Sequence, residues 1–152
     1  MQLQPGTIIK STEALKDTVF DDAIIYIAEF NEKGAVGYII NKLFGRSLNE
    51  LQEFRHSIPF PLYNGGPVDQ EHLFFLHRRP DLIEDGIIIV KGIYMGGKFE
   101  QAVDCINDNT ATRDDIKIFV GYCGWDAGEL EAEIEEGSWV VVEEMNETIF
   151  RE

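Results

Sequence analysis

The amino-acid sequence predicts a single α+β domain of mixed β-structure with about three helices. Two β-rich runs, 23–30 and 35–41, are joined by four residues that end in glycine, which is the pattern of a β-hairpin. From Lys98 onward the apolar residues change to the helical spacing i, i+3, i+4 and i+7. The 152 residues contain no internal repeat or linker-like stretch and can bury a core, so one domain covering 1–152 is expected.

Two capping signals and several short β-rich runs mark the other elements. Ser47 and Glu50 have the spacing of a capping box and are followed by a helical apolar stripe, which predicts a short helix. Asp126 and Glu129 repeat that spacing, so we expect Gly124 to end the preceding strand and Asp126 to cap another helix. Further strands are predicted at 6–10, 72–77, 86–91, 116–123 and 139–142.

The chain is strongly acidic. Its 13 basic and 28 acidic residues give a formal net charge of −15 and a pI near 4.5. Nucleic-acid binding needs a basic face that neutralises phosphates, whereas the basic residues here are scattered. We therefore expect no direct binding to DNA, and the same charge opposes contact with anionic membranes.

The short apolar runs and the first residues of the sequence predict a cytoplasmic protein. The longest apolar runs, such as 23–28, are far too short to span a bilayer. The first residues lack the basic and apolar segments of a secretory signal. In the reducing cytoplasm, Cys105 and Cys123 are expected to be free thiols.

The spacing Gly92-x-x-x-x-Gly97-Lys98 matches a phosphate-binding loop. Phe99 stands where such a loop has the Ser or Thr whose hydroxyl holds Mg²⁺, so nucleotide hydrolysis is disfavoured. An anion held by the helix N-terminus and Lys98 is a weaker alternative. A plain strand-to-helix turn is favoured, and no cofactor is expected.

The histidines and carboxylates do not predict a metal site. His72 and His77 are five residues apart, which places their side chains on opposite faces of a strand. His56 follows a predicted helix, and all three histidines are expected to be surface or capping residues. Most acidic residues are explained by solvated faces, but Glu129 and Glu133 share a helix face that could contact a partner or a cation.

Glycines cluster at two predicted turns. Residues 65–67 (Gly-Gly-Pro) form the first turn, and Gly121 and Gly124 flank the second. Glycine at such positions lets the backbone turn sharply or approach a neighbour, which is a ligand or, more often, another segment of the chain. Cys123 lies beside a predicted helix start, so both a reactive thiolate and a small buried residue are open interpretations.

Four sequence blocks occur in an order and spacing that is specific when they are taken together. They comprise Asp17 and Phe20 with 24–30 and 34–41, then 65–68 with Leu76 and His77, then 94–97, then 121–125 with Gly128, Leu130, Glu131, Glu133 and Trp139. On these blocks the chain resembles the AlgH/YqgE family of bacterial proteins, over nearly its whole length.

The resemblance implies an α+β fold in which a mixed, mostly antiparallel sheet curls into a pseudo-barrel with helices outside. It also implies a cytosolic protein of a family without an established reaction or cofactor, often labelled as transcriptional regulators. The chain departs from the family pattern at three positions. Phe30 stands where many members have histidine, Glu129 where glutamine is common, and Cys123 where a small residue is usual. Lys98 is not a family hallmark, which further weakens the phosphate-loop interpretation.

We expect a non-enzymatic regulatory or binding protein that acts through a protein partner or a small ligand. The alternative is a small hydrolase for phosphate or acyl compounds, because glycine turns at strand ends often border ligand pockets. The candidate ligand or partner contacts are Asn41, Gly65, Gly66, Pro67, Gly121, Cys123, Gly124, Trp125 and Glu131.

Overall fold

The computed structural model describes residues 3–151, which form ten strands and two α-helices. The strands are β1 (Ile8–Ser11), β2 (Ile24–Asn31), β3 (Gly34–Ile39), β4 (Leu43–Ser47), β5 (Pro61–Asn64), β6 (Val68–His77), β7 (Ile87–Val90), β8 (Ile93–Met95), β9 (Ile116–Asp126) and β10 (Trp139–Val142). The helices are α1 (Phe99–Asn107) and α2 (Glu129–Glu135), and short 3₁₀ turns lie at Glu13–Leu15, Leu48–Glu50, Gln52–Phe54 and Asn146–Phe150.

All ten strands belong to one sheet whose main path runs β10-β1-β2-β3-β9-β6-β8-β7. The predicted hairpin is confirmed as β2 and β3, which pair antiparallel. Among the described strands, β5 and β9 make the one parallel pair, so the expected mixed, mostly antiparallel sheet is also confirmed.

Strand β9 is shared by the two halves of the sheet. Its first half pairs with β6 on one side and with β5 on the other. Its second half pairs with β3, and Gly121, with a φ of 73°, lies between the two halves. The positive φ lets β9 change direction at the point where its pairing with β5 ends and its pairing with β3 begins.

The expected pseudo-barrel is not closed. Within residues 3–151, the end strands β7 and β10 are not paired with each other. Their ends nevertheless approach, because Gly6, just before β1, packs so tightly against Val90 that an added Cβ would lie 2.7 Å from the valine Cγ1. The sheet is therefore strongly curved and open.

The prediction of about three helices is wrong by one, since two α-helices are present in the described chain. The capping box at Ser47 and Glu50 does form. Leu51, however, has an extended backbone, so the segment makes two separate 3₁₀ turns and not a helix. A single capped turn without continued helical bonds cannot propagate, because helix nucleation is unfavourable.

The second capping prediction is also corrected. Strand β9 does not end at Gly124 but continues to Asp126, because β3 supplies pairing partners along this stretch. The N-cap of α2 is Gly128, and the Asp126 backbone N–H instead donates to the Glu129 carboxylate at 2.9 Å. The helix ends as expected before Gly137, which has a φ of 88°.

The core consists of three apolar clusters. One packs α1 and the 3₁₀ turns against one face of β5, β6 and β9. A second packs α2 against β1, β2, β3 and Trp139. The third lies on the opposite face of the sheet and includes the C-terminal turn Asn146–Phe150.

The C-terminal turn is anchored to the sheet by polar and apolar contacts. Ile149 and Phe150 are buried, and the buried Lys117 of β9 donates from Nζ to the Ile149 carbonyl at 2.8 Å. Asn146 accepts from the Tyr26 hydroxyl and donates to the Gly6 carbonyl. These contacts hold the turn against the sheet.

No helix within residues 3–151 is long and apolar enough to cross a membrane.

Candidate functional site

The two predicted glycine turns meet, but they meet backbone to backbone. The Gly65 N–H donates to the Val120 carbonyl at 2.8 Å, and the Ile39 N–H donates to the Gly65 carbonyl at 2.9 Å. A Cβ added at Gly65 would lie 2.5 Å from the Gly121 oxygen, and one added at Gly66 would lie 2.2 Å from the Tyr122 carbonyl carbon. The space between the turns is therefore filled by the chain itself, and these glycines permit packing of one segment against another.

Cys123 lies inside this crossing as a buried residue. Its Sγ donates to the Gly65 carbonyl at 3.5 Å, and burial raises the pKa of the thiol to about 12. A thiol with a raised pKa carries little thiolate at neutral pH, so the geometry supports the interpretation as a small buried residue. Pro67, Gly124 and Glu131 are exposed on the surface.

Glu133 joins the two tryptophans of the chain. Its Oε1 accepts from the Trp125 indole N–H at 3.0 Å and from the Trp139 indole N–H at 2.9 Å. The rings are packed edge to face, with centroids 6.2 Å apart. Both carboxylates of the acidic face therefore make hydrogen bonds within the chain. Glu129 accepts from the Asp126 backbone N–H, and Glu133 joins α2 to β9 and β10.

The phosphate-loop spacing produces a strand-to-helix turn whose polar groups are used internally. The Lys98 N–H donates to the Glu84 carbonyl at 2.9 Å, and its Nζ lies 3.5 Å from the Glu84 carboxylate. A Cβ at Gly97 would lie 2.4 Å from the same carbonyl. Residue 84 therefore covers the helix start where an anion would have to bind.

His77 corrects the expectation that all histidines are surface or capping residues. It is fully buried on β6, stacked between the Phe75 and Tyr94 rings. The Arg79 N–H donates to its Nδ1 at 3.1 Å, so the proton resides on Nε2, which lies 3.1 Å from the Gly96 carbonyl. Both ring nitrogens are satisfied in the neutral form.

The buried His77 should make stability pH-dependent. Burial lowers its pKa below the ordinary 6.5, although the bond to Gly96 and the charge of Asp81 oppose the shift. Because the unfolded chain then binds the proton more readily, the contribution of His77 is present above pH 6.5 and is lost as the pH falls towards the folded pKa. In urea unfolding, the stability difference between the native chain and His77→Phe should shrink on acidification below that pH.

The exposed His72 provides the control of opposite sign. Its hydrogen bond to Asp69 raises its pKa, so its contribution is present at low pH and is lost as the pH rises through the folded pKa. The stability difference between the native chain and His72→Asn should therefore widen on acidification. Parallel pH profiles for both variants would contradict the assignment to His77.

A cleft of about 820 Å³ lies on the inner face of the curved sheet, away from the glycine crossing. Strand register places Ile8, Ile24 and Val142 on one face of the sheet. Ile8 is directly opposite Val142, and Lys10 is directly opposite Ile24. Ile8 and Lys10 are two residues apart on β1, so they also lie on the same face. The full lining is Ile8, Lys10, Ile24, Ile40, Asn41, Leu43, Pro61, Tyr63, Arg113, Val142, Glu144, Thr148 and Arg151. Its volume falls within the roughly 300–1,000 Å³ of small-molecule sites.

Asn41 alone, among the nine sequence candidates, is found in this lining within residues 3–151. Its Oδ1 accepts from the Ile24 N–H at 2.9 Å, and its Nδ2 donates to the Asp22 carbonyl at 2.7 Å. The amide therefore fixes the start of β2 beside the cleft. The sequence carried little signal for the rest of the lining, which comes from residues far apart in the chain.

Side chains that commonly bind metal ions are few in the cleft lining. Among the described residues, no group of three or more His, Cys, Asp or Glu side chains lies close enough together to bind a metal ion. The lining instead combines an apolar floor with three cationic side chains.

These features define an α+β protein with an open, curved sheet and a ligand-sized cleft on its inner face. The model of the AlgH-like family matches residues 7–152, and the chain belongs to this family. A UPF0301 protein of Chlorobaculum tepidum is 35% identical over 148 residues, covering 97% of this chain and 79% of that protein. A UPF0301 protein of Cytophaga hutchinsonii is 34% identical over 149 residues, covering 97% and 82%.

Two solved structures share the fold. The solution structure of the AlgH protein from Pseudomonas aeruginosa has a TM-score of 0.78 and 26% identity, covering 99% of this chain and 85% of that one. The crystal structure of protein DIP2367 from Corynebacterium diphtheriae has a TM-score of 0.79 and 17% identity, covering 99% and 81%. At this lower identity the likeness shows the fold alone.

Proposed function

We propose that this chain is a non-enzymatic, cytoplasmic regulatory protein that binds a small organic ligand in the cleft of about 820 Å³. The cleft carries the proposal, because contacts within the chain hold the elements that form its walls. The Asn41 amide fixes one wall, and Lys117 and Asn146 anchor the C-terminal turn that forms another. A preformed apolar recess with a few polar groups is the usual form of a small-molecule site.

Charge favours a ligand over nucleic acid. The chain has a net charge of −15, and three of its basic residues, Lys10, Arg113 and Arg151, line the cleft. A duplex needs cations spread along an accessible face, because affinity comes mainly from neutralising successive phosphates. Regulation through the ligand, without direct contact with DNA, fits this distribution.

The alternative of a hydrolase at the glycine turns has little support from the geometry. The turns are packed against each other, and the Cys123 thiol has a raised pKa. In the cleft itself, the Thr148 hydroxyl donates to the Met145 carbonyl at 2.7 Å, which closes a local turn. A hydrolase would need a nucleophile paired with a base at one of these places.

Nuclear magnetic resonance tests the proposal directly. A library of small metabolites should contain ligands that shift the backbone amide signals of Ile8, Ile24 and Val142, which surround the cleft. Ile40→Trp, which fills the cleft from its β3 side, should abolish these shifts while the circular-dichroism spectrum stays native. Ligand shifts confined to other regions, or shifts that persist in Ile40→Trp, would contradict the proposal.

A further inference from the structure

We infer that the ligand of the cleft is an amphipathic anion, with an apolar body and a carboxylate or phosphate head. This inference rests on the proposed ligand-binding role and assigns the chemical class of the ligand. It depends on the contrast between the charge of the cleft and the charge of the whole chain, and on the apolar floor below the cationic groups.

The charge of the cleft is opposite to that of the protein. Its lining within residues 3–151 carries three cationic side chains, Lys10, Arg113 and Arg151, against one carboxylate, Glu144. The whole chain has 13 basic and 28 acidic residues. Cations concentrated in a recess with low-dielectric walls focus a positive potential there, even when the net charge is negative.

The three cations come from separate parts of the chain. Lys10 lies on β1, Arg113 precedes β9, and Arg151 follows the C-terminal turn. Sequence proximity therefore does not explain their common location. Of these, Lys10 and Arg151, from opposite ends of the chain, are the cations that we assign to the anionic head.

The floor of the cleft is apolar although it is open to solvent. Ile24, Ile40 and Val142 are partly exposed and pack against the core cluster below them. Leu43 at the rim is 69% exposed. An apolar chain lying on this floor would remove these side chains from water, which is a favourable change for each methylene that is buried.

Together the floor and the cations select among ligands. A bare anion such as acetate leaves the apolar floor wet, and an apolar cation is repelled by the three basic groups. Decanoate and decyl phosphate can make both the apolar contact with the floor and the charge interaction with the cations, and they differ only in the head. A neutral chain such as decanol can make only the apolar contact.

Titration calorimetry with these probes, below their micelle concentrations, tests the inference on the whole chain. Decanoate and decyl phosphate should bind one per chain, tighter than decanol, and decyltrimethylammonium should not bind. Shortening the carboxylate from ten to eight and six carbons should weaken binding by about fourfold for each methylene removed.

Two charge-matched variants separate the cleft from the overall charge. Lys10→Glu should weaken decanoate binding by about tenfold or more, because it places a like charge beside the head. Lys16→Glu changes the net charge equally at an exposed position outside the cleft lining and should change affinity by less than about twofold.

The outcomes separate the inference from the proposed function. Equal binding of the anionic and cationic probes, or equal effects of Lys10→Glu and Lys16→Glu, would overturn the anionic class. If a neutral or cationic metabolite shifts the cleft signals while decanoate does not bind, the class is wrong and the ligand-binding function stands. If neither these probes nor any metabolite binds at the cleft, both fail.

Discussion

Gly66→Ala should prevent the chain from folding stably, with an expected loss of more than about 4 kcal/mol in the free energy of unfolding. The added Cβ would lie 2.2 Å from the carbonyl carbon and 2.3 Å from the oxygen of Tyr122, and Gly66 has a φ of +154°. These neighbours are backbone atoms of β9, which is paired with strands on both sides, so they cannot move aside singly. Typical domains have only about 5–15 kcal/mol of total stability.

Gly45→Ala is the matched control for this prediction. Gly45 lies in β4, and an added Cβ would meet no atom within 4 Å. Its alanine variant should be as stable as the native chain or slightly more so, because alanine loses less backbone entropy on folding. Soluble yield, circular dichroism and urea unfolding compare the two. A Gly66→Ala chain within about 1 kcal/mol of Gly45→Ala would show that the crossing of the glycine turns can relax.

Glu133→Ala should lower the free energy of unfolding by about 2–4 kcal/mol, since each hydrogen bond to a charged acceptor contributes about 1.5–3 kcal/mol. Both indole N–H groups would lose their acceptor, and α2 would lose its link to β9 and β10. Relief of the repulsion with Glu129, one turn away, offsets a small part of the loss. Urea unfolding followed by tryptophan fluorescence measures the effect, because the chain contains just these two tryptophans.

Two further substitutions show whether the loss comes from the missing acceptor. Glu133→Gln keeps a side-chain oxygen that can accept from both indoles, so it should recover most of the stability. Glu131→Ala removes an exposed carboxylate from the same helix and should change stability by no more than about 0.5 kcal/mol. If Glu133→Gln were as unstable as Glu133→Ala, the two hydrogen bonds would not explain the effect.

Much of the fold could be predicted because its signals are local. The β2–β3 hairpin follows from two β-rich runs and a short turn, and α1 follows from apolar spacing over successive turns. The end of α2 before Gly137 is another local signal. Where a tertiary partner decides the outcome, prediction failed, as at Gly124, which stays in β9 because β3 pairs with it.

The site could be predicted far less well than the fold. The sequence identifies the glycine turns as places of close approach, but it does not tell whether a ligand or the chain itself fills the space. The sequence does not predict the burial of His77, because its two partners, the Arg79 N–H and the Gly96 carbonyl, are backbone groups without a sequence signature. The cleft lining includes side chains as distant in sequence as Lys10 and Arg151, which only the tertiary structure brings together.

The sharing of β9 has a consequence for the order in which the protein can form. Strands β3, β5 and β6 are all synthesised before residue 116, and each has β9 as a partner. Until β9 emerges, their facing edges have no complement, so neither half of the sheet can reach its final hydrogen bonding alone. Pairing at such long sequence separation is slow, because the chain loses the entropy of loop closure before the stabilising contacts form. Both halves should therefore fold in one late, cooperative step. A nascent chain can complete this step only after residues 116–126 are available for pairing.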